Sequence, residues 1–302
     1  MQMIKPDIKL NEWAVLRHNE DNLLYLKEPR GEHETYITYE GIPLIRYRIY
    51  APFESELRAA FTTRMGGVSK DHLASLNLSS SRGDDIENVR ENYRRFAHAL
   101  GTEPENMVSS DQVHETNIRR VYAGDRGKGI VRESDIKATD GLTTDEKGVC
   151  LLTFYADCVP VYFYDPVHKA IGLAHSGWRG TVADIAGKMV RRMEDEYGTR
   201  AYDLVCAIGP SICRACYEIG EDVAVVIKER YGEDTEHLRD KLGGKYMLDL
   251  HGAVRENLLN AGVSPEKIGM PDLCTCCNPA LLFSHRASKG MRGNLAAAME
   301  LI

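Results

Sequence analysis

The chain lacks any apolar run long enough to span a bilayer. Its most apolar stretch is interrupted by Asp157 and Pro160, and the first residues, MQMIKPDIKLNEWAV, hold no apolar core of the kind a secretory signal needs. These absences argue against a membrane-spanning helix and lead to the expectation of a cytoplasmic protein. An excess of positive charge is also lacking: 45 acidic residues outnumber 38 basic ones, the formal net charge is −7 and the pI about 5.8, which argues against a broad nucleic-acid footprint and leaves room for a local arginine patch that holds phosphate. A small ligand is therefore expected. Internal repeats, low-complexity tracts and linkers are missing too, so the 302 residues, 43% of them hydrophobic, read as one compact domain over 51–302 preceded by a polar, tyrosine-rich β appendage over 1–50. Eight cysteines without a secretory signal read as thiols or metal ligands rather than as a disulfide framework.

The chemistry that is present concentrates between residues 140 and 181. The run 149–155 (VCLLTFY) has the length and the β-branched, aromatic composition of a buried strand, and it stops at Ala156-Asp157-Cys158-Val159-Pro160. A second short strand is expected at 161–164, a turn at Asp165-Pro166, and a third strand at 170–174 (AIGLA) that stops at His175-Ser176-Gly177-Trp178-Arg179-Gly180. Val182, Ile185, Met189 and Met193 then recur at helical spacing over 181–196. Strand ends thus deliver a cysteine and a histidine. Such a pair can bind a soft metal such as zinc or copper, or act as nucleophile and base. It can equally be a small buried hydrophobe beside a satisfied core histidine.

Elsewhere, 23–26 and 36–39 read as hairpin strands around Pro29-Arg30-Gly31. A strand at 57–64 runs into Met65-Gly66-Gly67-Val68-Ser69, which sets Arg64 beside paired glycines where backbone N–H groups can help it hold an anion. Residues 84–100 form an amphipathic helix, acidic at its start and basic towards its end, stopped by Gly101. The region 108–121 reads as strand, loop, strand, with His114 in the loop; 204–209 is a strand, and 222–230 and 248–261 are helices. The remaining cysteines, Cys213-x-x-Cys216 and Cys274-x-Cys276-Cys277, read as a closed structural zinc site, a redox cluster or neighbouring reduced thiols; the first would make the chain a metal-dependent interaction module.

Several motifs occur in one order: Thr62-Thr63-Arg64-x-Gly66-Gly67-Val68-Ser69, Leu76-Asn77-Leu78, Asp111-Gln112-Val113-His114, Thr139-Asp140-Gly141, Ala156-Asp157-Cys158-x-Pro160, Ala174-His175-Ser176-Gly177-Trp178-Arg179-Gly180 and Phe283-Ser284-His285-Arg286. From about Phe61 onwards the chain resembles the multicopper polyphenol oxidase, or laccase-domain, family, whose bacterial members are also described as purine nucleoside phosphorylases. The resemblance implies an α+β fold, a four-layer α/β/β/α sandwich with a mixed β core. It also implies a metal held by His114, Cys158 and His175, zinc or alternatively copper. The long spacings between these three residues match no short zinc signature, so the ligand set rests on the resemblance.

The implied reaction is phosphorolysis of adenosine, inosine, guanosine or methylthioadenosine to base and pentose 1-phosphate, with adenosine deamination as a side activity. For that reaction Arg64 and Arg179 are the expected phosphate ligands and Asn77 a partner for a sugar hydroxyl. The alternatives are a cysteine-dependent hydrolase or amidase, using Cys158 and His175 on a cell-wall precursor, and a copper-dependent polyphenol oxidase. A zinc nucleobase deaminase is set aside because its H-x-E and P-C-x-x-C signature is absent. Where relatives read SHRRDG and then GRMA, this chain has Ser284-His285-Arg286-Ala287-Ser288 and Gly293-Asn294-Leu295-Ala296.

Overall fold

A computed structural model of the chain describes residues 15–18, 24–27, 33–39 and 41–302. The first of two six-stranded sheets runs in the order β3 (Glu34–Tyr39), β4 (Ile42–Tyr47), β5 (Leu57–Thr62), β17 (Leu295–Leu301), β9 (Cys150–Tyr155), β6 (Met107–Ser109). The second runs β16 (Ile268–Gly269), β12 (Val205–Ile208), β10 (Val159–Asp165), β11 (Ala170–Ser176), β8 (Gly141–Thr144), β7 (Ile118–Arg120). Pairing is antiparallel except at β6–β9, β7–β8 and β12–β16, so both sheets are mixed. A hairpin of β1 (Val15–His18) and β2 (Leu24–Lys27) and a small sheet of β13 (Glu218–Gly220), β15 (Lys245–Leu248) and β14 (Leu238–Lys241) complete the strands.

Side-chain alternation assigns the layers. Along β10, Tyr162 and Tyr164 join Ile45, Phe61, Leu151, Leu173 and Ala297 in the cluster between the sheets, whereas Val161 and Phe163 join the cluster that packs on helices. That outer cluster is closed by α3 (Ile185–Tyr197), α4 (Glu221–Tyr231) and α5 (Leu250–Asn260), through Met189, Met193, Ile227 and Val254. On the far side, α1 (Ile86–Leu100) sets Val89, Phe96 and Leu100 against Leu44, Leu152 and Ala296. Burying one side chain such as Phe96 contributes about 1.5–3 kcal/mol, and these stripes are what hold α1 on the sheet. The result is the α/β/β/α sandwich with a mixed β core that the resemblance implied.

Local departures from the expected elements have physical causes. The single helix expected at 181–196 is two: α2 (Trp178–Val182) and α3, because Asp184 takes a left-handed φ of 61° and caps α3 by accepting the Gly187 N–H. A Cβ at Gly187 would lie 2.5 Å from the Asp184 carboxylate, so a larger residue there would make the capping side chain shift. The strand pairings expected near the N-terminus also differ: β2 pairs with β1, and β3 pairs with β4, while the connection around Pro29-Arg30-Gly31 lies outside the described residues. Because β4 pairs with β5 and buries Ile42, Leu44 and Ile45, residues 42–47 are part of the first sheet.

Candidate active site

Strand β9 belongs to the first sheet and β10 to the second, so the chain crosses between sheets at Ala156-Asp157-Cys158. Asp157 makes the crossing with a left-handed φ of 94°, a conformation that costs a non-glycine residue roughly 1–3 kcal/mol and must be held by its surroundings. Three hydrogen bonds hold it. Its carbonyl accepts the Ile212 N–H at 3.0 Å, and its carboxylate accepts the Thr275 hydroxyl at 2.6 Å and the Arg286 N–H at 2.7 Å. Cys158 is thereby presented at the start of β10, one residue before the pair Val159↔Ser176 and two before Pro160↔His175. Pro160 is tolerated in this central strand near its end, where its carbonyl accepts the Gly209 N–H. His175, expected just beyond the third strand, lies within β11 and is only 2% exposed.

The third donor, His114, sits in the loop between β6 and β7 with a positive φ of 66°. Asp140 organises both histidines. Its carboxylate accepts the backbone N–H groups of Val113, His114 and Glu115 at 3.1, 3.0 and 3.0 Å, and it bonds His175 Nδ1 at 2.8 Å. With Nδ1 committed, His175 turns Nε2 towards the cluster, the arrangement in which a carboxylate orients a metal-binding or basic imidazole. The donor atoms of His114, Cys158 and His175 all lie within 4.8 Å of one another, and the two imidazole rings meet edge to face at 4.8 Å. Gly177 closes the cluster: a Cβ there would stand 3.1 Å from His114 Cδ2 and 3.2 Å from Cys158 Sγ.

Electrostatics tie the three together. Burial alone would push the Cys158 thiol up, but the charge of His175 and hydrogen bonds with His114 and His175 outweigh it and bring it down to about 6. Burial alone would lower His175; the Cys158 thiolate and Asp140 raise it to about 9. The pair is therefore a thiolate beside an imidazolium when only protons are bound. One thiolate and two imidazoles are equally a borderline-soft donor set, suited to zinc, and three protein ligands leave a fourth position open. The mutual distances, the orienting carboxylate and the Cβ-free wall at Gly177 all fit a single ion.

A cavity of about 380 Å³ opens from this cluster, within the size range of small-ligand sites. His114, Cys158 and His175 line it together with Ser79, Ser80, Ser81, Arg82, Arg292 and Asn294. The guanidinium of Arg292 is half-buried, drawn down to about 10 because burial strips its solvation and Arg82 opposes its charge, while Asp157 and Cys158 pull the other way.

Of the six residues singled out by sequence, the structure brings together His114, Cys158 and His175 and leaves the other three away from the cavity wall. Arg64 donates from Nε to the Ala74 carbonyl at 2.7 Å and from Nη1 to the Pro279 carbonyl at 2.8 Å, with its guanidinium 4.4 Å over the Phe283 ring. Arg179 is exposed and stacks on Trp178. Asn77 is fully buried: its amide donates to Ser79 O and Asp84 Oδ2, and its oxygen accepts the N–H groups of Ser79 and Asn294. Every hydrogen-bonding position of Asn77 is thus used in shaping the loops that carry Arg82 and Arg292. Sequence reasoning missed Asp140, Arg82 and Arg292. The Thr139-Asp140-Gly141 motif was a signal for the first, whereas nothing in the local pattern marks the two arginines.

Comparison with known proteins agrees with this fold. The model of the multi-copper polyphenol oxidoreductase laccase family matches residues 58–302. The chain is 37% identical over 242 residues to the purine nucleoside phosphorylase YlmD of Bacillus subtilis (80% of this chain, 87% of that one). It is 40% identical over 241 residues to YlmD of Geobacillus stearothermophilus (79% and 88%). The crystal structure of the latter superposes with a TM-score of 0.81 at 36% identity, covering 89% of this chain and 99% of that chain. The chain belongs to the laccase-domain family of multi-copper polyphenol oxidoreductases.

Proposed function

We propose that the chain is a purine nucleoside phosphorylase working in this cavity, with zinc as its metal and phosphate as co-substrate. The observation that carries the reading is that one cavity is lined both by the His114, Cys158 and His175 cluster and by Arg82 and Arg292. Relatives named purine nucleoside phosphorylases support it. Phosphorolysis joins a phosphate oxygen to C1′ of the pentose and breaks the bond from C1′ to the purine nitrogen, which leaves with the electron pair and gains a proton. Positive charge builds on the sugar and negative charge on the base in the transition state.

Arg82 and Arg292 take the anion role first expected of Arg64 and Arg179. Two guanidiniums that repel each other are relieved by a phosphate between them, and the planar fork suits its oxygens. The serines 79–81 supply hydroxyls for sugar or phosphate. Asp140 holds His175 and the His114 loop in register, which keeps the donor set pre-formed. When bound, zinc would be held by His114, Cys158 and His175 and would supply Lewis acidity there. A deaminase side activity on adenosine would use the same cavity, with water oxygen bonding to C6 of the purine and the C6 amino group leaving as ammonia.

The test is to incubate adenosine, inosine, guanosine and methylthioadenosine with enzyme, with and without phosphate. Base and pentose 1-phosphate formed only with phosphate support the reading. Equal consumption in phosphate-free buffer replaces it with hydrolysis or deamination. A second reading has its own observation, the Cys158 thiol brought down to about 6 beside His175, which suits a cysteine nucleophile for amide hydrolysis. Rapid alkylation of Cys158 in the zinc-loaded enzyme would favour it, since a liganded thiolate is a poor free nucleophile.

A further inference from the structure

Two loops far apart in sequence meet beside the crossing that carries Cys158. One follows β12 and holds Cys213 and Cys216; the other, before Phe283, holds Cys274, Cys276 and Cys277. Main-chain contacts zip them together: Ser211 and Cys274 form a parallel bridge, and the Thr275 N–H donates to the Ser211 carbonyl at 3.1 Å. The thiols converge as a consequence. The Sγ atoms of Cys213, Cys216, Cys274 and Cys277 all lie within 4.8 Å of one another, with Cys216 to Cys277 at 3.5 Å and Cys213 to Cys277 at 3.9 Å.

We propose that these four cysteines are a closed, tetrathiolate zinc site, separate from the His114, Cys158 and His175 cluster. Zinc–sulfur bonds of about 2.3 Å in a tetrahedron put neighbouring sulfurs about 3.8 Å apart, which the separations of 3.5 and 3.9 Å bracket. A disulfide would need about 2.05 Å, and none of the eight cysteines is disulfide-bonded. The spacing is also that of a structural site once the structure selects the members: Cys213-x-x-Cys216 and Cys274-x-x-Cys277, with Cys276 left outside. What reads in sequence as an irregular C-x-C-C is a second C-x-x-C. The backbone is arranged for thiolate, because the N–H groups of Cys213 and Cys277 both point at Cys274 Sγ, at 3.3 and 3.4 Å. Cys274 and Cys277 are buried at 4% and 9% exposure, and four protein ligands leave no position for substrate.

The site braces the catalytic crossing. Thr275 and Ile212, one residue from Cys274 and Cys213 respectively, both bond the left-handed Asp157, and Arg286 joins the two regions by donating its own N–H to Asp157 and its guanidinium to the Cys216 carbonyl at 3.1 Å. Zinc in the four-cysteine site therefore fixes the loops that hold the residue before Cys158.

The experiment is metal counting on the intact chain, purified under reducing conditions and freed of loosely bound ions. Native mass spectrometry and elemental analysis should find two zinc ions per wild-type chain and one in the His114→Ala, Cys158→Ala double variant, where X-ray absorption should report four sulfur neighbours. Cys213→Ser with Cys216→Ser should lose the second ion and lower Tm; if that variant fails to fold, the wild-type count and the first double variant still decide. A metal-free His114→Ala, Cys158→Ala protein, iron in place of zinc, or a mass short by two hydrogens from a disulfide would each overturn the proposal; a single wild-type zinc that persists in that double variant would support it and count instead against a metal at His114, Cys158 and His175. None of these readouts depends on nucleoside turnover.

Discussion

His114, Cys158 and His175 leave one side of their cluster facing a cavity, whereas Cys213, Cys216, Cys274 and Cys277 close on one another beneath two zipped loops. Both groups are built from soft donors, and both are reached through Asp157, whose backbone leads into Cys158 and whose hydrogen bonds run to Thr275 and Ile212. They differ in saturation and support. The first holds three donors oriented by a carboxylate and walled by a glycine, with two arginines lining the same cavity; the second holds four thiols oriented by backbone N–H groups. An open position permits chemistry and a filled shell permits only structure. One fold thus spends sulfur in two ways, and the contrast can be broken or sharpened by changing one group at a time.

The largest effect is expected from Cys158→Ala, which removes a donor from the open site. Activity should fall on the order of 10³-fold or more while Tm moves little, because the four-cysteine site and the sheet packing are untouched. Parallel melting curves and phosphate-dependent turnover check this, and a variant that unfolds would mean that Cys158 serves the core. Asp140→Asn comes next. It weakens the hold on His175 and on the His114 loop, and metal affinity at that site should drop by about 10–100-fold, read by competition with a chelator.

Arg292→Ala should raise the KM for phosphate by roughly 10–100-fold, the loss of one or two charge-assisted hydrogen bonds, without changing metal content. An unchanged KM would remove Arg292 from the anion site. Gly177→Ala should act more weakly still. Its φ of −74° suits alanine, so the fold should survive, but the added methyl presses on His114 and Cys158 and should lower activity by less than about tenfold.

Asp84→Asn is expected to have the smallest effect, and only in acid. Burial opposes ionisation of Asp84, yet bonds from Asn77 and Ser69 outweigh it and hold its carboxyl below the ordinary value. A group depressed in the folded state contributes stability that is present above its unfolded value and is lost as pH falls through the folded one. The wild type should therefore lose more stability than Asp84→Asn between pH 5 and 3, as denaturant midpoints measured across that range would show.

Much of the architecture was legible because it rests on local rules. The stripe Val89, Tyr93, Phe96, Leu100 with Gly101 behind it announces α1, and the run 149–155 announces β9, since periodicity and capping act over a few residues. The break at Asp184 escaped notice because an apolar stripe continues across it and only a left-handed cap interrupts it. Strand partners near the N-terminus escaped for a different reason: which strand pairs with which is a competition among distant segments, and 42–47 won a place beside β5.

The same division runs through the site. The residue types were decided by sequence: a cysteine and a histidine at strand ends, a histidine in a polar loop, and arginines beside glycines are all visible in one dimension. Which arginines face the cavity was decided by tertiary structure alone, because Arg64 found carbonyls of Ala74 and Pro279 to satisfy it while Arg82 and Arg292 were brought together from opposite ends of the chain. So was the membership of the four-cysteine group. Cys276 and Cys277 are neighbours of equal chemistry in the sequence, and only the fold of the 274–277 loop onto 211–216 turns one thiol into the cluster and leaves the other out.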